Sequence, residues 1–178
     1  MPFACAVPVY SEATKRSSVA ATNPKKVYLG LREQVFSGSS AAFGISVAAP
    51  GDPWGAVMEI GMGKTTVTVV ALADCNASIY LSSGGGFIGG QSHESIRQAA
   101  QNMIRQISDH RAALHETKEY PLPKNGQVTF YALYDDCVMA AAARESQLKS
   151  HKYGVTYIFA AGQEIITQYR RIQEKGQP

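Results

Sequence analysis

The spacing of apolar positions changes along the chain, and each spacing predicts an element. Asn23 followed by Pro24 marks a helix start, because the asparagine side chain can accept a free amide of the first turn and proline has none to lose there. Val27, Tyr28, Leu31 and Val35 then recur at helical spacing, which predicts a helix from Pro24 to Phe36, stopped at Ser37 and Gly38. A loop to Pro53, containing Gly44, Pro50 and Gly51, leads to three runs of strand character, Trp54–Ile60, Thr65–Ala73 and Ala77–Ser82. The links between them, Gly61 to Lys64 and Asp74 to Asn76, have hairpin length, whereas a parallel crossover needs about a dozen residues or more. These strands are therefore expected to be antiparallel neighbours.

From Ser92, read as an N-cap, the residues Ile96, Ala100, Met103, Ile107 and Leu114 form a stripe that only a helix places on one side. The stripe predicts a helix to Glu116, before the turn-rich stretch that ends in Pro121, Pro123, Asn125 and Gly126. Two strands follow, Gln127–Tyr134 and Cys137–Ala143, joined across Asp135 and Asp136. A last helix from Tyr153 to Glu174 carries Ile158, Ala161, Ile165, Tyr169 and Ile172 on one face. The strands do not alternate cleanly: Val67, Val69 and Ala71 share one parity and Val70 and Leu72 the other, as when both faces of a sheet are covered. The expectation is an α+β domain with a five-stranded antiparallel sheet and helices on both faces, in the order α-βββ-α-ββ-α. This plan is similar to the profilin, longin and roadblock group. A roadblock domain ordinarily has two strands before its middle helix and three after it, the reverse of this order.

Length and composition then bound the reading. The chain has 178 residues with 45% hydrophobic and 17% charged, which suits one core. Residues 23–174 are read as the domain, 1–22 as a mobile tail, small and polar from Ser11 onward, and 175–178 as a short end. Seventeen Lys plus Arg against fourteen Asp plus Glu give a net charge of +3, too little for a phosphate-tracking surface, so no nucleic-acid partner is expected. Lys25 with Lys26 and Arg170 with Arg171 read as solvated pairs. Apolar runs fall short of the roughly 20 residues that span a bilayer. Cys5, Cys75 and Cys137 are widely spaced and unpaired in pattern, and no basic residue precedes the apolar start, so a cytoplasmic chain with free thiols is expected.

Two glycine motifs invite a phosphate reading. Gly61-Met62-Gly63-Lys64-Thr65-Thr66 contains Gly-Lys-Thr, but Met58 stands where a P-loop needs its first glycine and a strand follows where it needs a helix. A hairpin turn is expected there. The run Gly84 to Gly90 contains glycines at 84, 85, 86, 89 and 90, after a strand and before a helix. Glycines admit a close anion and a helix N-terminus offers free amides, so a small anionic ligand held by Gly84, Gly85, Gly86, Gly89 and Gly90, with Ser83, Ser92 and His93, is one reading. The other is packing, with positive φ and close approach where sheet hands over to helix and Phe87 and Ile88 as anchors. No parallel strand delivers an acidic residue for a dinucleotide. His93, His110, His115 and His151 make no ligand pair, so no metal and no cofactor are expected. Asp135 and Asp136 read as hairpin-turn residues.

Thr66 to Asp74 and Ala77 to Gly90, with Pro121-Leu122-Pro123, Val128 to Tyr131 and Ala160 to Ile165, resemble a family of small bacterial proteins without an assigned activity. The shared features are a strand ending in Ala-Asp, a turn, a strand ending in Ser-Gly-Gly-Gly and a helix, and the resemblance spans Tyr28 to Arg170. It implies a bacterial origin and one architecture, and it supplies no catalytic residue. The expected function is a non-catalytic interaction, scaffolding or regulatory domain with a protein partner or as a homodimer, using a sheet edge or helix face. A binder of, or enzyme on, a small anionic ligand at residues 84–90 is the alternative.

Overall fold

Among the described residues, seven strands pair antiparallel in one open sheet. The structure, a computed structural model, describes residues 23–148 and 154–175. In chain order the strands are β1 (Gly55–Met62), β2 (Thr65–Leu72), β3 (Ala77–Leu81), β4 (Gly86–Phe87), β5 (His115–Thr117), β6 (Gln127–Leu133) and β7 (Val138–Arg144). Across the sheet they run β4-β3-β2-β1-β6-β7-β5. Three α-helices accompany them, α1 (Pro24–Ser37), α2 (Glu94–Asp109) and α3 (Val155–Lys175). As expected, the hairpin-length links join antiparallel neighbours. Met62 pairs with Thr65 across Gly63 and Lys64, and Gly63 takes φ +62°, a left-handed turn value that glycine adopts without steric cost. Gly-Lys-Thr is thus a hairpin.

Central strand β1 explains why both strand parities are apolar. Ala56, Met58 and Ile60 face α2 and α3, in a core with Phe130, Ile96, Met103, Ile107, Ile158 and Ile165. Val57 faces the other way, with Tyr28 and Val35 of α1, Ile45 and Trp54 of the following loop, and Tyr131 and Leu133 of β6. Helices therefore cover both faces, and each fully buried large apolar side chain contributes about 1.5–3 kcal/mol. Gly162 lets α3 lie directly on β1, since a Cβ there would overlap the Met58 side chain. The loop after α1 is tied to the β6–β7 turn by Asp135, whose carboxylate accepts from the Ser40 amide (2.8 Å) and hydroxyl (2.7 Å).

Two strands exceed the expected five, and both arise where local pattern gave another answer. The segment read as a glycine loop contributes β4, whose Gly86 and Phe87 pair with Tyr80 and Ile79. The helix expected to reach Glu116 stops at Asp109. His110 leaves helical dihedrals (φ −110°, ψ 22°), Arg111–Ala113 form a 3-10 turn, and His115–Thr117 pair with Val138–Ala140 as β5. Leu114 is still buried, at 3% exposure; a chain reversal, rather than another helical turn, brings it to the core. Ser92 lies in a 3-10 turn, Gly90–Ser92, and His93 occupies the N-cap of α2 without a side-chain cap bond. Lys175, assigned from sequence to the C-terminal end, belongs to α3. The tail 1–22 with Cys5, residues 149–153 with His151 and the expected helix start Tyr153, and residues 176–178 lie outside the described residues. Among the described residues no helix is long and apolar enough to cross a membrane.

Candidate functional site

The glycine run builds the edge of the sheet. Leu81 N–H donates to Gly85 O (3.1 Å) and Gly84 N–H to Leu81 O (2.9 Å), closing a reversal after β3. Gly84, Gly85 and Gly86 sit at φ +104°, +84° and +149°, values that L side chains rarely adopt. Space as well as φ demands glycine at some of them. A Cβ at Gly86 would overlap the Ile79 carbonyl, one at Gly84 would press on Pro24 Cβ at 2.8 Å, and one at buried Gly90 would overlap Ile96. At Gly85 and Gly89 a Cβ would meet nothing within 4 Å, so only positive φ constrains them.

β4 is the outermost strand on its side. The bond from Leu81 to Gly85 and the Ile79–Phe87 pairing fix the alternation of the ladder, which turns the N–H and C=O of Gly86 away from β3. Beside this outward main chain, Phe87 is 37% and Ile88 69% exposed. Phe87 stacks on Tyr169 of α3 with centroids 4.9 Å apart, and the Tyr169 hydroxyl donates to Ala77 O at 2.6 Å. Burial pushes the Tyr169 phenol up to about 12. On the α1 side of the same edge, a cleft of about 360 Å³ is lined by Pro24, Val27, Leu31, Leu81, Gly84 and Gly85 among others. Outward main chain, exposed apolar side chains and an apolar cleft thus meet at one edge.

The remaining residues singled out in the sequence are distributed along this segment. Ser83 is exposed in the turn before β4, while Ser92 and His93 are exposed beyond its far end, at the start of α2. The strand keeps Ser83 apart from the other two. Several amides are already engaged: Gly84 as above, Gly89 N–H with Ser78 Oγ (3.4 Å) and His93 N–H with Gly90 O (3.1 Å). Glu94 occupies the first turn of α2, and its contacts with Gln98 and then Arg97 hold its carboxyl below the usual range. Among the described residues no group of three or more His, Cys, Asp or Glu side chains is placed to hold a metal ion.

One polar cluster was not read from the sequence. Glu59, fully buried in β1, accepts from Arg32 Nε and Nη2, both at 2.8 Å, and from the Thr68 hydroxyl at 2.9 Å. Tyr28 and Thr68 share a hydrogen bond of 2.9 Å, and Arg32 Nη2 also donates to Tyr120 O at 2.6 Å. Burial pulls the Arg32 guanidinium down, but the hydrogen bonds and charge of Glu59 outweigh it and the pKa is raised. Burial, and secondarily the Glu59 charge, push Tyr131 up to about 12. The available signal was one carboxylate within the apolar run Ala56–Ile60. The cluster ties α1, β1, β2 and the Tyr120 segment together, which gives it a structural role. Comparison of the chain with protein-family models, with curated proteins and with solved structures finds no match.

Proposed function

We propose that the protein is a non-catalytic interaction or scaffolding domain of the cytoplasm that pairs with a second copy of itself through the β4 edge. The observation that carries this reading is the outward main chain of Gly86 beside exposed Phe87 and Ile88. An unpaired edge is a template for another strand, and proteins that avoid such pairing place charges or proline on it. Gly84 to Gly90 contains neither. Two copies related by a twofold axis would add β4 to β4 and bring Ile88 and the Val27–Leu81 cleft into one self-complementary surface. The layering of helices on both faces of an antiparallel sheet is similar to profilin- and roadblock-like domains, and this likeness supports the reading at the level of fold alone. The internal bonding of the Gly84, Gly89 and His93 amides favours it over an anion held at the same loop.

Sedimentation of the full chain over a range of concentrations tests the proposal. The expected result is a monomer–dimer equilibrium that Ile88→Lys shifts to monomer, while Met62→Lys leaves it intact. Met62 is a suitable control because it is 57% exposed and lies on β1, with β2 and β3 between it and β4. A wild type that stays monomeric, or a dimer that Ile88→Lys does not weaken, overturns the reading.

A further inference from the structure

A concavity of about 610 Å³ lies over β6 and β7, in the half of the sheet away from β4. Thr129 of β6 and Ala142 of β7 are register partners at its base, and the loop Pro121–Gln127 walls one side. The hollow has a simple origin in sequence. β7 carries alanine from 140 to 143, so nothing large stands up from the strand beyond the reach of α1.

The charged side chains around this hollow are all cationic. Lys124 and Arg144 both line it, and no Asp or Glu does. Neither cation is within ion-pair distance of a carboxylate among the described residues; the pairs formed there are Arg32–Glu59 and Arg97–Glu94. Asn125 and Gln127 have their amide oxygens engaged as acceptors, from Gly63 N–H at 2.7 Å and Lys124 N–H at 3.1 Å. What they have left to offer is N–H. Thr129, 7% exposed, lines the base of the hollow, where its hydroxyl can donate to a bound group. The wall itself is held in place by Gln127 N–H to Lys124 O (2.9 Å) and Gly126 N–H to Gly61 O (2.8 Å).

We propose that this hollow binds a small oxyanion, a carboxylate or phosphate. Its charge is drawn by Lys124 and Arg144, and one of its oxygens accepts from the Thr129 hydroxyl. Arginine suits either group, since its planar fork matches both geometries. Pro121, Leu122 and Pro123 offer an apolar surface to the remainder of an organic anion. The site is independent of self-association at β4.

Amide-resolved NMR titration of the full chain tests the proposal, at constant ionic strength, with inorganic phosphate, succinate and the uncharged isostere succinamide. Saturable shifts at Gly126, Thr129 and Ala142 with phosphate, succinate or both are expected, and none with succinamide. Response to phosphate alone or to succinate alone assigns the anion class. Arg144→Gln or Lys124→Gln should weaken binding about tenfold or more, the loss typical of one charge-assisted hydrogen bond. Thr129→Val should weaken it less while preserving the fold, checked by an unchanged spectrum elsewhere. Absence of saturable shifts with both anions, equal shifts with succinamide, or affinity unchanged in both charge variants overturns the proposal.

Discussion

Glu59 on the central strand and Arg32 on α1 form a two-point ion pair, both bonds 2.8 Å, with the carboxylate fully buried. Taking two charges out of water is costly, and removing one partner leaves the other buried and unpaired. Arg32→Met is therefore expected to lower the unfolding free energy by about 3–5 kcal/mol in urea titrations. The double variant Arg32→Met with Glu59→Leu should recover most of that loss. A loss under about 1 kcal/mol for the single variant would show that the pair does not hold α1 to the sheet.

The glycines of the β4 edge should separate by mechanism. Gly85→Ala meets open space and must accept only positive φ, a cost of about 1 kcal/mol. Gly86→Ala carries the same kind of strain and also collides with the Ile79 carbonyl, so it should cost clearly more and detach β4 from β3. Urea midpoints, with the Ile79 and Phe87 amide resonances as local reporters, distinguish the two. Equal costs would contradict the close approach.

Stability should fall at alkaline pH. Tyr131 and Tyr169 have phenols raised to about 12 by burial, against about 10 in an unfolded chain. The folded state disfavours the phenolate, so this stabilisation is complete below about pH 10 and is lost as pH rises towards about 12. Tyr131→Phe removes one such group, and its difference from wild type in unfolding free energy should shrink across that window. A difference independent of pH would refute the raised phenol.

Asp135→Ala should loosen the loop after α1 without unfolding the sheet. It removes two hydrogen bonds to Ser40, worth about 1–3 kcal/mol together. Trp54, the one tryptophan of the chain, is buried and stacked on Phe43 of that loop, with centroids 5.5 Å apart. Its emission should move to longer wavelength in the variant. Unchanged emission would mean that Asp135 does not hold the loop.

Connection length and residue parity carried much of the fold. Hairpin-length links leave no room for a crossover, so antiparallel order in β1–β3 and β6–β7 is legible in the sequence. Apolar residues on both parities of β2 required cover on both faces, which α1 on one side and α2 with α3 on the other provide. The glycines of 84–90 announced an unusual backbone, and each of Gly84, Gly85, Gly86 and Gly89 has positive φ. These features are short-range, and short-range sterics and burial determine them.

Tertiary structure alone decided what depended on distant partners. Whether Gly86–Phe87 is loop or strand was settled by the free edge of β3, and whether residues 111–117 continue α2 by the free edge of β7. Leu114 fits a helical stripe equally well, because periodicity records which residues are buried and not the path that buries them. Glu59 finds Arg32 across 27 positions and Tyr120 joins through Arg32 across 88, and Thr129, Lys124 and Arg144 share a hollow only because β6 and β7 lie side by side. A hydrophobic pattern specifies which side chains leave water; which polar groups then face one another is set by the register and packing of elements far apart in the chain.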